Sequence, residues 1–131
     1  MKLRSAPVLL AAALAAPALA QLEAPAPSPK ATETQRVGLT DVTLSYSRPG
    51  VKGRTIWGEL VPWDKPWRTG ANQATTITLS DDVMVQGQKL AAGTYSIVTI
   101  PGRDEWTVVF NTDTKLWFET EYDAAKDVLR V

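Results

Sequence analysis

The 131-residue chain carries 14 basic and 14 acidic side chains and contains neither histidine nor cysteine. Imidazole general bases, Ser-His and Cys-His nucleophile pairs and the usual zinc and copper ligands are therefore missing from its chemistry. Balanced charge without a basic run also argues against a nucleic-acid partner, whose phosphates demand clustered Lys and Arg.

Residues 1–20 read as a signal peptide. Lys2 and Arg4 give a basic start, Ser5 to Ala20 is uncharged and rich in Ala and Leu, and Ala18-Leu19-Ala20 supplies small residues for cleavage after Ala20. A spanning helix needs about 20 strongly apolar residues, whereas Pro7 and Pro17 bracket a run made mostly of alanine. The expected location is the periplasm or the cell exterior. Loss of Lys2 and Arg4 leaves 12 basic against 14 acidic residues, with no polybasic patch for a membrane surface and no cysteine to acylate. No membrane insertion is expected after cleavage. Disulfides are permitted outside the cytoplasm and this chain has none, so a packed core must hold it.

Residues 21–31 form a Pro-rich linker, with Pro25, Pro27 and Pro29 alternating with small residues in a polyproline-like tether. The folded domain is expected over residues 32–131, long enough to bury roughly 65% of its unfolded surface. Its apolar period is two, the strand period. Val42, Leu44 and Tyr46 alternate with Thr43, Ser45 and Ser47, and Ile77 and Leu79 alternate with Thr76, Thr78 and Ser80. Such patterns predict antiparallel strands with one wet face. Val83-Met84-Val85 leads into a turn at Gln86-Gly87-Gln88. Thr94 to Ile100 and Glu105 to Asn111 are expected to form a hairpin, with Pro101-Gly102 as the central pair of a type II turn and Trp106, Val108 and Phe110 along one face. Asn111 to Thr114 reads as its exit turn. The one helical candidate, Tyr122 to Lys126, is too short to stand alone. The fold class expected is all-β, an antiparallel β-sandwich or small barrel, with the end at Val131 read as a truncation.

Ordered blocks of residues carry a resemblance. Ser45-Tyr46-Ser47-Arg48-Pro49, Val51-Lys52-Gly53-Arg54, Ile56-Trp57-Gly58, Trp67-Arg68-Thr69-Gly70-Ala71-Asn72, Leu90 to Ser96 and Lys126 to Val131 resemble a family of exported bacterial proteins, domain of unknown function 2911. The resemblance runs from about residue 32 to the end. It implies no activity. It implies further strands after Val131, and it weakens at Leu116-Trp117-Phe118-Glu119, where such proteins often place a tryptophan and a glycine.

Several residue sets invite chemistry. Glu59 and Asp64 flank Trp63 and would serve a carboxylate-dependent hydrolase, although solvated charges beside Lys65 explain them as well. Asp81-Asp82 offers oxygen ligands but lacks the spaced loop of a calcium site, and a wet turn accounts for the pair better. Gly50, Gly53 and Gly58 have no Lys-Ser or Lys-Thr after them and make no phosphate loop. Trp57, Trp63 and Trp67 recur within one polar stretch, where tryptophan either binds a ligand or plugs the end of the core.

The leading expectation is a non-catalytic exported binding or interaction module. Its corner is Trp67, Arg68 and Asn72, a flat apolar face, a planar five-donor fork and an amide that donates and accepts; the rival reading is structural, with Arg68 satisfying loop carbonyls and Trp67 plugging the open end of the sandwich. A carbohydrate, another small ligand or an envelope protein would be the partner. No catalytic residue, metal ligand or cofactor is assigned. A small hydrolase using Glu59 and Asp64 and a structural envelope domain stand as alternatives, since one fold hosts all three.

Overall fold

In the computed structural model, which describes residues 24–118 and 121–131, the period-two segments become strands and every strand pair is antiparallel. The expected signal peptide and the first three linker residues lie outside the described residues. The strands are β1 (Lys30–Val37), β2 (Thr40–Ser47), β3 (Thr76–Leu79), β4 (Val83–Val85), β5 (Gln88–Leu90), β6 (Gly93–Pro101), β7 (Trp106–Asn111) and β8 (Asp127–Arg130). Six of them form one sheet in the order β1-β2-β3-β6-β7-β8, and β4 and β5 form a separate hairpin. The fold is all-β, as the alternation of apolar and hydroxyl residues requires.

Strand β1 was not foreseen, and its composition explains why. Only Ala31 and Val37 are apolar among its eight residues, and all but Ala31 are exposed, so no periodic burial marks it. Its place is fixed instead by β2, through a register running from Lys30 opposite Ser47 to Val37 opposite Thr40. The connecting turn is Gly38-Leu39. A positive φ of 62° at Gly38 alone fits a type II′ hairpin turn. The β4–β5 turn is the other primed type, with positive φ at both Gln86 and Gly87.

The central strands are buried on both faces. Leu79, Tyr95, Phe110 and Leu129 pack beneath the β4–β5 hairpin, which contributes Leu90, Val83 and Val85. On the opposite face Ala74, Val98 and Val109 pack under Leu116 and Tyr122, from the long β7–β8 connection. This explains why Val109, between the expected inward residues Val108 and Phe110, is fully buried. Further out on that second face the hydroxyls of β1, β2, β3 and β6 pair across strands: Thr32 with Ser45, Thr34 with Thr43, and Thr78 with Thr94 at 2.9 Å.

The β6–β7 hairpin forms as expected, but its turn differs. Pro101 is the last residue of β6, opposite Trp106, and the connection is Gly102 to Glu105. Gly102 lacks the positive φ of a type II centre. Its N–H donates to the Glu105 carbonyl at 2.9 Å, and a Cβ there would collide with that same oxygen. Proline is tolerated in the strand because of direction. Ile97 and Thr99 turn their N–H groups to Thr75 and Trp67, so Pro101, of the same parity, turns its missing donor away from β7.

At the other edge a bulge lets Asn111 face Asp127, and Asn111 is fully buried. Its amide donates to the Asp127 carboxylate at 2.7 Å and to the Asp123 carbonyl at 2.9 Å, while its oxygen accepts from the Asp113 N–H. Asp127 also accepts from the Tyr122 hydroxyl at 2.6 Å and from Arg130 Nε at 2.7 Å. Burial alone would raise the Asp127 pKa. The bonds from Tyr122, Asn111 and Arg130 outweigh it and hold the carboxyl below its ordinary range. Burial and the adjacent carboxylate together push Tyr122 up to about 12. A 3-10 turn, Ala124–Lys126, capped by the Asp123 side chain, occupies the one helical candidate of the sequence, Tyr122 to Lys126.

Candidate functional site

Between β2 and β3 the chain makes a long excursion, residues 48–75, pinned to the sheet at several points. The Arg48 N–H donates to the Pro29 carbonyl at 3.0 Å. Lys52 and Gly53, both with positive φ, form a tight turn closed by the Arg54 N–H on Val51. The Arg54 guanidinium binds the same turn, Nε to the Val51 carbonyl at 3.0 Å and Nη2 to that of Gly50 at 2.7 Å.

A second tight turn follows at Ile56–Val61. Val61 donates to Ile56, and Gly58 donates to Val61 at 2.9 Å. Gly58 has φ of 86°, and a Cβ on it would sit 2.5 Å from Trp63 Nε1. Only glycine meets both demands. The chain then runs beside β6 as an irregular extension of β3. Asp64 donates to the Pro101 carbonyl at 2.8 Å, and Trp67 exchanges both backbone bonds with Thr99 at 2.8 and 2.9 Å.

Strain concentrates in this excursion. Lys52, Asp64, Thr69 and Asn72 all have positive φ, and for β-branched Thr69 that is a genuine outlier. Its surroundings over-determine it, as such strain requires. Thr69 Oγ1 meets the Trp67 carbonyl at 3.2 Å and Thr99 Oγ1 at 3.0 Å, and its own carbonyl accepts from Thr75 Oγ1 at 2.6 Å.

Held this way, the excursion brings four tryptophans together. Trp57 is the hub: its ring lies 6.3 Å from Trp63, 5.7 Å from Trp67 and 4.9 Å from Trp106 of β7. The Arg103 guanidinium stacks over Trp63 at 5.4 Å. Trp57 and Trp106 remain 44% and 43% exposed, so the cluster is not a sealed core.

Beside the cluster opens a cavity of about 760 Å³. Its walls are apolar, among them Ile56, Trp57, Leu60, Val61, Pro62 and Trp67, and its charged lining residues are Arg54, Lys65 and Arg68. Ser28 closes one side from the Pro-rich segment.

Of the corner expected from sequence, Trp67 and Arg68 line the cavity. Asn72 lies behind it as a fastener. Its main-chain carbonyl accepts from Arg68 Nε at 2.9 Å, and its side-chain Nδ2 donates to the Ser28 carbonyl at 3.2 Å and to Ser47 Oγ at 3.5 Å. Glu59 and Asp64 are not among the lining residues. Asp81 accepts from Ser80, and Asp82 pairs with Lys89 at 2.7 Å and accepts from the Ala92 N–H, both serving the β4–β5 hairpin and its flanks. The bond from Lys89, then that from Ala92, hold the Asp82 pKa below its ordinary value.

Sequence reasoning did not assign Arg54 or Lys65 to a site. The signal was their position, cations in a Pro- and Trp-rich stretch. Trp106 joins from a distant strand and could be found only from the fold.

Comparison with family models matches residues 28–131 to the family described as protein of unknown function (DUF2911). Neither the curated proteins nor the solved structures give a match.

Proposed function

The chain belongs to the DUF2911 family, whose description assigns no activity, and from that premise we propose that it is a non-catalytic binding module, working outside the cytoplasm, whose small-molecule site is the cavity of the 48–75 excursion. One observation carries the reading: the cavity has the size of ligand pockets, roughly 300–1,000 Å³, and mostly apolar walls with a few convergent polar groups. The positive-φ residues of the excursion that forms it support the reading, because strained backbone held by many bonds is a mark of pre-organised sites. The competing hydrolase draws no support from this geometry. A carboxylate pair must face one cleft, and neither Glu59 nor Asp64 lines this one.

A thermal-shift screen against a small-molecule library tests the proposal, since any ligand of the folded state raises the midpoint by mass action. Hits should lose their effect in Trp67→Ala, which strips one wall, and in Leu60→Trp, which adds bulk at an exposed lining position. An absence of hits, or hits whose shifts survive in both variants, would count against the site.

A further inference from the structure

The lining of the cavity is one-sided in a second respect, the direction of its hydrogen bonds. Arg, Lys and the indole N–H of Trp donate and cannot accept. Among the lining side chains with polar atoms, Arg54, Lys65, Arg68, Trp57 and Trp67 are all of this kind, and only the Ser28 hydroxyl can do both. No Asp or Glu stands among the described lining residues.

Two of these charges, those of Arg54 and Lys65, have no ion pair among the described residues. Arg54 spends Nε and Nη2 on backbone carbonyls, which orient the guanidinium without cancelling its charge. Among the described residues Lys65 has neither an ion pair nor a hydrogen bond.

A polyhydroxylated ligand such as a sugar needs acceptors for its own hydroxyl protons, and these side chains offer almost none. A cation would meet the like charges of Arg54 and Lys65. A carboxylate accepts only, and carries the complementary charge. The apolar walls of Ile56, Leu60 and Val61, with the Trp57 and Trp67 rings at 83° to one another, require a hydrophobic body behind that head.

We infer that the cavity takes an amphipathic small-molecule carboxylate, its apolar body against Trp57 and Trp67 and its head at the rim of Arg54 and Lys65. This rests on the binding reading above and narrows it to one ligand class.

Three probes of one shape and different charge separate the class from the site: 4-phenylbutyrate, 4-phenylbutanol and 4-phenylbutylamine, titrated into the full chain by calorimetry and tryptophan fluorescence. The acid should bind at least about fivefold more tightly than the alcohol, the scale of a partly exposed ion pair, and the amine most weakly. Added salt should weaken the acid alone. Lys65→Glu, at an exposed side chain, should erase the preference for the acid and favour the amine. Equal binding of acid and alcohol would overturn the ligand class and leave the binding site standing. An acid preference untouched by Lys65→Glu would also overturn the inference, because the anion would sit elsewhere. If none of the three binds, the inference fails together with the binding reading.

Discussion

Gly58 is where the excursion tolerates least change. Any side chain there meets a left-handed backbone, worth about 1–2 kcal/mol against an L-residue, and then the Trp63 indole. Gly58→Ala is expected to destabilise the domain by more than the backbone term alone and to shift tryptophan emission, because Trp63 must leave Trp57. A denaturant melt with fluorescence detection checks both. Trp63 was legible in the sequence as part of a recurring set, but its demand on Gly58 was not, since a close approach leaves no mark on composition. The same holds for Asn72. Its residue type suited recognition, yet its side-chain N–H groups serve the scaffold, a fact set by the path of the Pro-rich segment across the excursion.

At the scale of elements, the β7–β8 connection depends on one carboxylate. Asp127, whose side chain is 9% exposed, gathers Asn111, Tyr122 and Arg130. Its pKa is lowered in the folded protein, so the stability it contributes is complete above the unfolded value, about 3.9, and is lost as pH falls through the folded one. Tyr122 works at the other end. Its pKa is raised to about 12, so its contribution is complete below about 10 and is lost as pH rises from there toward 12. Asp127→Asn should lower the melting temperature at neutral pH, as loss of charged hydrogen bonds does, and should flatten the acid limb of stability against pH. Thermal melts across the pH range decide it, and an unchanged acid limb in the variant would refute this account of Asp127.

This network could not be read from the sequence. Asn111, Tyr122 and Asp127 carry no common spacing, and a bulge sets their meeting. Strands β2 and β3 were legible because burial on one face imposes a period of two, and β6 and β7, buried on both faces, were legible as β-branched and aromatic runs bounded by turn residues. Strand β1 was not, because an exposed edge imposes none. Pro101-Gly102 misled for a related reason: the dipeptide suits a turn in isolation, while Pro101 stays in the strand because its missing N–H points away from β7, toward the irregular excursion that asks only its carbonyl for a bond.

Across the whole molecule, the sheet supplies a rigid floor and the 48–75 excursion builds the site upon it. Thr99 and Pro101 of β6 hold Trp67 and Asp64 by backbone bonds, and Trp106 of β7 backs Trp57. Placing a binding group on a loop fixed by a scaffold is the common arrangement. The fold explains why three tryptophans and three cations drawn from one irregular stretch end beside one cavity.

The most direct test follows the indole N–H signals of the five tryptophans by two-dimensional NMR during titration with 4-phenylbutyrate. Trp117 neither lines the cavity nor has a ring contact with the other four among the described residues, and it serves as the internal reference. The signals of Trp57 and Trp67 should move in a saturable manner while that of Trp117 stays in place. Stationary Trp57 and Trp67 signals, or a displacement confined to Trp117, would contradict the assignment of the cavity as the binding site.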